Sequence, residues 1–517
     1  MPELQQSQIR TKSKLLATLS ATFCLIFSFE PITLAQTAPS EEISAHLPNS
    51  DLVVLNYDLD VEVPSIDAPI LSARAVLEIK AIHPYSAIRL HIDSRRLSIA
   101  TVSIDGTQTP FSVIIRDRNR YDLSGDVLKI ETPSTVAVGE SHSVSLSYSI
   151  LVNQSAQDNG KRLVQEGFFY EPNYYGIKVL STRSWPYYAR SWLPSNDHPS
   201  NPATISYTLH VPSGVTAVAN GALQMRPYVD NNSHGEPLIT YRWSQSAPIP
   251  TYAFSVVVGS FKTRSDEDCY EIGRINSDIV PCGVGSHGKL AILYYADLLP
   301  DRQLFFTEFD KARHARVWFS SMLGEYPFDK LGFITAPHPF NMEHASLITL
   351  VSPSSAVHEV VHQWWGDSVY IESWGDFWIN EGFATYLTGL YDEHIAGIDT
   401  SCRTTEGVLN LPSDTDPMDD FNRTPYCKGA GALHALRGLM ANLAVSDIDS
   451  DVAKNIFFAV LKSTYQTFKG RALTTRGFYE HLQRIVPAIL ESHGISVDKQ
   501  QVLRDLTEWK ESWFSPF

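Results

Sequence analysis

From about Leu52 to Phe261, apolar and polar residues alternate in short runs separated by turn residues. Val53-Val54-Leu55-Asn56-Tyr57, Ser143 to Ile150 and Thr204 to Val211 are examples. A period of two places alternate side chains on one face, so each run predicts a half-buried strand, and their number predicts an antiparallel β domain. Tyr252 to Phe261 predicts a further β-rich run. Near Ala291 the period lengthens. Leu304 to Met322 carries apolar residues at helical spacing, Tyr326-Pro327-Phe328 ends that helix, and Leu331 to Thr335 predicts a strand. Helical segments follow around 355–367, 380–395, 428–443, 451–465 and 474–490. The predicted fold class is multidomain α+β: an N-terminal antiparallel β domain over residues 51–262, then a mixed α/β domain over residues 263–517.

The first 50 residues stand apart from this pattern. Arg10, Lys12 and Lys14 precede an apolar run from Leu15 to Phe29, which is short for a membrane span and suits a signal peptide. Thr33-Leu34-Ala35 offers a cleavage site. Residues 1–35 are therefore expected to be a signal peptide and 36–50 a flexible lead, with an uncleaved anchor as the alternative. The chain is expected to be exported, periplasmic or secreted, with no stable span in its mature part. Its 517 residues exceed one core, and 43% hydrophobic with 19% charged residues is a globular composition. A formal net charge of −16 argues against nucleic acid as a partner. Cys24 lies in the signal segment. The other four cysteines suit disulfides in an exported chain, and pairing neighbours predicts Cys269–Cys282 and Cys402–Cys427 among three possible connectivities.

The chemistry-bearing motif is His358-Glu359-Val360-Val361-His362. Residues four apart on a helix share a face, so both imidazoles can reach one ion, and zinc takes imidazole nitrogen at about 2.0–2.1 Å. Glu359, next to the first histidine, is placed to handle a proton rather than to ligate. Val360, Val361 and the pair Trp364-Trp365 mark the helix as buried, where two histidines and a glutamate need partners. A catalytic zinc takes a third protein ligand. Glu381, in Asn380-Glu381-Gly382-Phe383-Ala384, is the candidate, with eighteen residues between it and His362.

The segment His358 to Tyr386 resembles the M1 family of zinc aminopeptidases, the group of aminopeptidase N and leukotriene A4 hydrolase, through the histidine pair, Gln363-Trp364, Gly366, Trp374, Asp376 and the Asn-Glu-Gly-Phe-Ala block. Phe340-Asn341-Met342-Glu343-His344 is similar to the family's Gly-x-Met-Glu-Asn exopeptidase motif, with Phe340 and His344 as departures. Tyr426-Cys427-Lys428-Gly429-Ala430 is similar to its Tyr-x-Lys-Gly motif, and Ala189 to Asp197 to a stretch of its N-terminal domain. The resemblance implies a thermolysin-like catalytic domain and one zinc ion per chain held by His358, His362 and Glu381. It implies Glu359 as general base and Tyr426 as donor to the oxyanion. Glu343 would bind the substrate's free amine. A family glutamine that also holds the amine falls on Arg183, so that second contact is unassigned. Asp376 or Asp367 is the candidate to orient a ligand histidine. The chain stops before the helical C-terminal domain of many members, which implies a more open site.

The function so implied is a zinc-dependent aminopeptidase that takes single residues from peptide N-termini, with peptides as its partners. The alternatives are a zinc endopeptidase, in which the altered loop at Phe340 does not demand a free amine, and a catalytically silent peptide-binding protein of the same fold.

Overall fold

The computed structural model describes residues 48–116, 125–154, 157–158, 161–162, 166–231, 235–265, 274–275, 278–279 and 290–516. The expected signal segment and the expected pair Cys269–Cys282 lie outside these residues.

The N-terminal half is built on a twisted sheet whose central strands are β1 (Leu52–Glu62), β2 (Ile70–Ala81), β3 (Leu97–Ile104), β4 (Ser141–Leu151), β7 (Ala203–Val211) and β8 (Pro237–Ile249), in the order β8-β7-β1-β2-β4-β3. Only β1 and β7 run parallel within that path. The sequence alternation shows directly in β2, where Leu71, Ala73, Ala75, Leu77, Ile79 and Ala81 are buried and the residues between them face outward. A second sheet includes β5 (Gly167–Tyr174), β6 (Ile177–Arg183) and β9 (Val256–Gly259). All four residues of β9 are buried, so this strand reads as a continuous apolar run rather than an alternating one.

The second half opens with a four-stranded sheet, β10 (Lys262–Ser265), β11 (Leu290–Tyr295), β12 (Lys330–Thr335) and β13 (Leu347–Leu350). The last three are parallel, and β12 and β13 are buried throughout. Helices follow: α1 (Arg302–Leu323) before β12, then α2 (Ala356–His362), α3 (Trp378–Ala396), α4 (Gly429–Leu443), α5 (Asp451–Phe468), α6 (Thr475–Ser492) and α7 (Lys499–Trp513). The fold is the α+β class the patterning predicts. Two details differ. The helix expected over 355–367 stops at His362, because the chain turns at Gly366 with φ +125°, a conformation closed to most side chains. Helix α7 was not foreseen. Only three of its residues, Val502, Leu506 and Trp509, are buried, so its apolar stripe is thin.

The β domain grips the catalytic half through buried polar contacts. Lys330, at the start of β12, is almost fully buried, and its ammonium donates to the carbonyls of Ala219 (2.6 Å) and Gly221 (2.5 Å). It also sits 4.4 Å from the Trp243 ring centre. Burial pushes its pKa well below the usual lysine range. Asn220, between those two carbonyls, donates to Ala253 O (2.9 Å) and Ala345 O (2.6 Å). Gly221 N donates to Ser346 Oγ (2.6 Å). Replacing Lys330 with Met strands two buried carbonyls. The expected cost is about 2 kcal/mol or more, since an unsatisfied buried polar group costs roughly 1–3 kcal/mol. The check is the chemical-denaturation midpoint, and an unchanged midpoint would rule out Lys330 as a structural clamp.

Candidate active site and metal centre

Helix α2 carries His358, Glu359 and His362, and Glu381 lies in the first turn of α3. His358 Nε2 and His362 Nε2 stand 3.1 Å apart, His358 Nε2 and Glu381 Oε2 3.2 Å, and His362 Nε2 and Glu381 Oε2 3.4 Å. Three ligands of a tetrahedral ion at about 2.0–2.1 Å are themselves about 3.3 Å apart. The triangle therefore has the edge lengths that a zinc ion requires, and two imidazoles with one carboxylate form a zinc donor set.

The electrostatics follow from burial of several like charges together. Burial alone would raise the Glu381 carboxyl, but the adjacent His362 and His358 hold it down at about 2. Burial would lower His362, yet Glu381 and Glu343 bring it up to about 10. Glu359, behind the triangle, is raised well above the carboxylate range by burial first, with Glu343 and Glu381 adding to the effect. Glu343, Glu359 and His362 also bring ligand atoms within 4.8 Å of one another.

Glu343 directly follows Met342, which exchanges two backbone hydrogen bonds of 2.9 Å with the strand residue Thr349. Its Oε1 is buried and has no hydrogen-bond partner among the described residues. Burial raises its pKa to about 7. The two departures in this motif have physical partners. His344 Nδ1 pairs with Thr349 Oγ1 at 2.9 Å. Phe340 packs edge-on against Trp185 (5.5 Å) and, with its plane tilted by 40°, against Phe421 (5.4 Å).

Tyr426 is half-buried on a single π-helical turn, Thr424–Lys428, that leads into α4. Its ring lies nearly parallel to His358, centres 6.2 Å apart and 17° between planes. Burial, then the carboxylates of Glu381, Glu343 and Glu359, keep the phenol protonated far above its usual range. The turn reaches α3 because two glycines meet: a Cβ on Gly382 would lie 2.7 Å from Gly429 Cα. These groups line one cleft of about 790 Å³, with Glu343, His358, Glu359, His362, Glu381 and Tyr426 on its wall.

Three expectations need correction or completion. Neither Asp376 nor Asp367 orients a ligand histidine. Asp376 accepts from Thr475 N (2.9 Å) and Thr475 Oγ1 (2.6 Å) at the start of α6, and Asp367 accepts from Gln363 Nε2 at 2.9 Å. The His362 ring is held instead by the Trp365 carbonyl, 3.1 Å from Nδ1. Arg183 does not face the cleft as a bare charge. Its guanidinium lies 4.9 Å from the Tyr188 ring centre and 5.5 Å from that of Phe340, and Nε donates to Trp185 O at 3.2 Å. The expected disulfide Cys402–Cys427 is formed, and both cysteines line the cleft.

Sequence reasoning assigned no role to Gln363, which joins the parts. Its Oε1 accepts from Ser346 N (2.7 Å) and Tyr326 OH (3.1 Å), and its Nε2 donates to Glu343 O (3.0 Å). A polar residue inside Val-Val-His-Gln-Trp-Trp was the available signal. Trp185 in the cleft wall was also missed. It lies 155 residues from Phe340, and nothing local announces the contact.

The same two halves match known domains. Residues 53–253 match the Peptidase M1 N-terminal domain and residues 351–492 the Peptidase family M1 domain. Leucine aminopeptidase 2 of Aspergillus niger is 23% identical over 461 residues, covering 82% of this chain and 64% of that protein. Leukotriene A-4 hydrolase of Xenopus laevis is 24% identical over 458 residues, covering 82% and 65%. The chain thus spans just under two thirds of the length of these relatives. Among solved structures, an M1 zinc metallopeptidase from Deinococcus radiodurans bound to a Tyr-Ser-Ala substrate is similar, with TM-score 0.64 and 24% identity over 91% of this chain and 96% of that one. Yeast LTA4 hydrolase has TM-score 0.65 and 20% identity, over 94% and 72%. With both halves matched in order and the histidine–glutamate triangle on the second, the chain belongs to peptidase family M1.

Proposed function

We propose that the chain is an exported zinc-dependent aminopeptidase that releases single residues from the N-termini of peptides. The observation that carries the aminopeptidase reading is Glu343. A buried carboxylate oxygen without a partner, beside the metal triangle, is a place for an ammonium group. Pairing there would hold the peptide by its free end and set one residue between that end and the scissile bond. The named relatives, a leucine aminopeptidase and a metallopeptidase bound to a tripeptide, support the same reading. Export rests on the charged and apolar N-terminal pattern alone.

His358, His362 and Glu381 would hold the zinc. When bound, the ion acidifies a water molecule and polarises the scissile carbonyl. Glu359 takes the proton from the attacking water and delivers it to the leaving nitrogen; its raised pKa suits a group that must both accept and give a proton. The Tyr426 hydroxyl, still protonated at neutral pH, donates to the oxygen on which negative charge develops. Gln363 fixes the distance between Glu343 and the ligand helix by binding the Glu343 carbonyl from its place directly after His362.

Glu359→Gln is expected to keep one zinc per chain by metal analysis and to lower kcat by about 10³-fold or more, since a lost acid–base group typically removes 10²–10⁴. Zinc-loaded Glu359→Gln with full activity would sink this assignment. A peptide with an acetylated N-terminus is expected to be cut at least about a hundredfold less efficiently than its free-amine counterpart, the loss expected when one charged partner is missing. Equal cleavage of both would favour an endopeptidase. No chelator-sensitive cleavage of either would favour a peptide-binding protein.

A further inference from the structure

We propose that the Cys402–Cys427 disulfide, with the segment it tethers, is a positioning device for Tyr426; this rests on the role of Tyr426 given above. The need for such a device lies in the local backbone. Tyr426 sits on a π-helical turn, a geometry that is rare and persists only where its surroundings hold it. Its first backbone amide, Thr424 N, donates to Asn422 Oδ1 at 2.7 Å, two residues back in the same loop. Beside the contact of Pro425 and Gly429 with Gly382 on α3, the turn is tied to one stretch of chain, residues 398–416, which has neither helix nor strand.

Three ties run from that stretch to the turn. Cys402 is bonded to Cys427, the residue after Tyr426. Thr404 N donates to the Cys427 carbonyl at 3.3 Å. Lys428 Nζ, on the far side of Cys427, donates to Gly407 O at 2.7 Å. The stretch is itself fastened to α3, the helix that carries Glu381. Thr400 Oγ1 donates to Asp392 Oδ2 at 2.6 Å, and Asp399 and Ser401 pack onto Gly389 so closely that a Cβ there would collide with both. At its other end Leu411 N donates to Gly375 O at 2.8 Å. The disulfide is the covalent member of this set. It ties the turn bearing the phenol to the helix bearing the third metal ligand, across the cleft that both cysteines line.

The functional consequence is one of distance. A donor to a developing oxyanion acts at about 3 Å, and a misplacement of about 1 Å can cost a hundredfold in rate. Residues 424–428 could relax toward an ordinary helical turn once Cys427 is released, and that would rotate the hydroxyl away from Glu381. The cysteines touch no reacting atom; they act through Tyr426.

The test is a double-mutant cycle with Cys402→Ser/Cys427→Ser and Tyr426→Phe on the full chain. The double serine variant is expected to lose about tenfold or more in kcat, with KM within about threefold and zinc content unchanged. In the Tyr426→Phe background the same serine substitutions are expected to cost nothing further, which a merely structural role would not produce. An unchanged kcat, or an equal fractional loss in both backgrounds, overturns the proposal. Amide hydrogen exchange supplies a readout independent of turnover. Exchange over residues 424–430 is expected to rise in the serine variant while that of α2 stays the same, and equal exchange with and without the disulfide overturns the proposal whatever the chain hydrolyses. Phosphine reduction of the folded wild type gives the same comparison if the serine variant folds poorly. A wild type with no peptidase activity but with the exchange response would overturn the role in turnover through failure of the aminopeptidase reading, and not of the tether.

Discussion

Three carboxylates and two imidazoles share one buried pocket, and the rest of the catalytic half is arranged around the cost of keeping them there. Glu343, Glu359 and Glu381 are each nearly inaccessible. Like charges in a low-dielectric site repel and are poorly solvated, so without compensation one or more would stay protonated. The pKa directions record that conflict. Glu381, which touches both histidines, is driven down, while Glu343 and Glu359, which lack such contacts, are driven up. The asymmetry fits the roles proposed above: the carboxylate held ionised would be the ligand, Glu359 would carry the proton, and Glu343 would ionise as an ammonium group pairs with it.

Holding the cluster is the work of both domains. The β-domain segment Ala219 to Gly221 grips Lys330, Ala345 and Ser346, and Ser346 in turn donates its backbone amide to Gln363 on the ligand helix. Tyr252, also from the β domain, donates to Gly366 O at 2.9 Å, at the turn that ends that helix. The distance from Glu343 to the histidine pair is thus set by a hydrogen-bonded chain that begins outside the catalytic domain. If Glu343 sets substrate register as proposed, the β domain has a part in it, beyond covering the catalytic half.

What the sequence revealed and what it concealed divide along a physical line. Periodicity made β4, β7 and α1 legible, because half-buried elements must alternate. The i, i+4 histidines were legible because helical geometry alone brings them together. Glu381 was legible as a candidate third ligand from the donor count, and the family resemblance strengthened it, since nothing in an eighteen-residue gap says that two helices converge. The orienting aspartates were misjudged for the same reason: a carboxylate near the motif in sequence can face elsewhere, as Asp376 does toward Thr475. Gln363, Lys330 and Trp185 work through partners between 20 and 155 residues away, and no local pattern encodes such partners.

The departures at Phe340 and His344 show how a motif can change its shape without losing its central residue. A glycine at the first position would leave the space that the Phe340 ring now fills between Trp185 and Phe421. The ring also covers one side of the Arg183 guanidinium, 5.5 Å away, so the cation at the position of the family's glutamine is turned into aromatic packing instead of facing the amine site. His344 replaces an amide side chain with an imidazole whose Nδ1 finds Thr349, on the strand that already brackets Met342. Phe340 and Arg183 therefore pack as a pair, while His344 answers to Thr349. Phe340 is one of several groups around that cation, with the Tyr188 ring and the Trp185 carbonyl, and restoring glycine there would remove the ring that lies 5.5 Å from the guanidinium while leaving the other two in place.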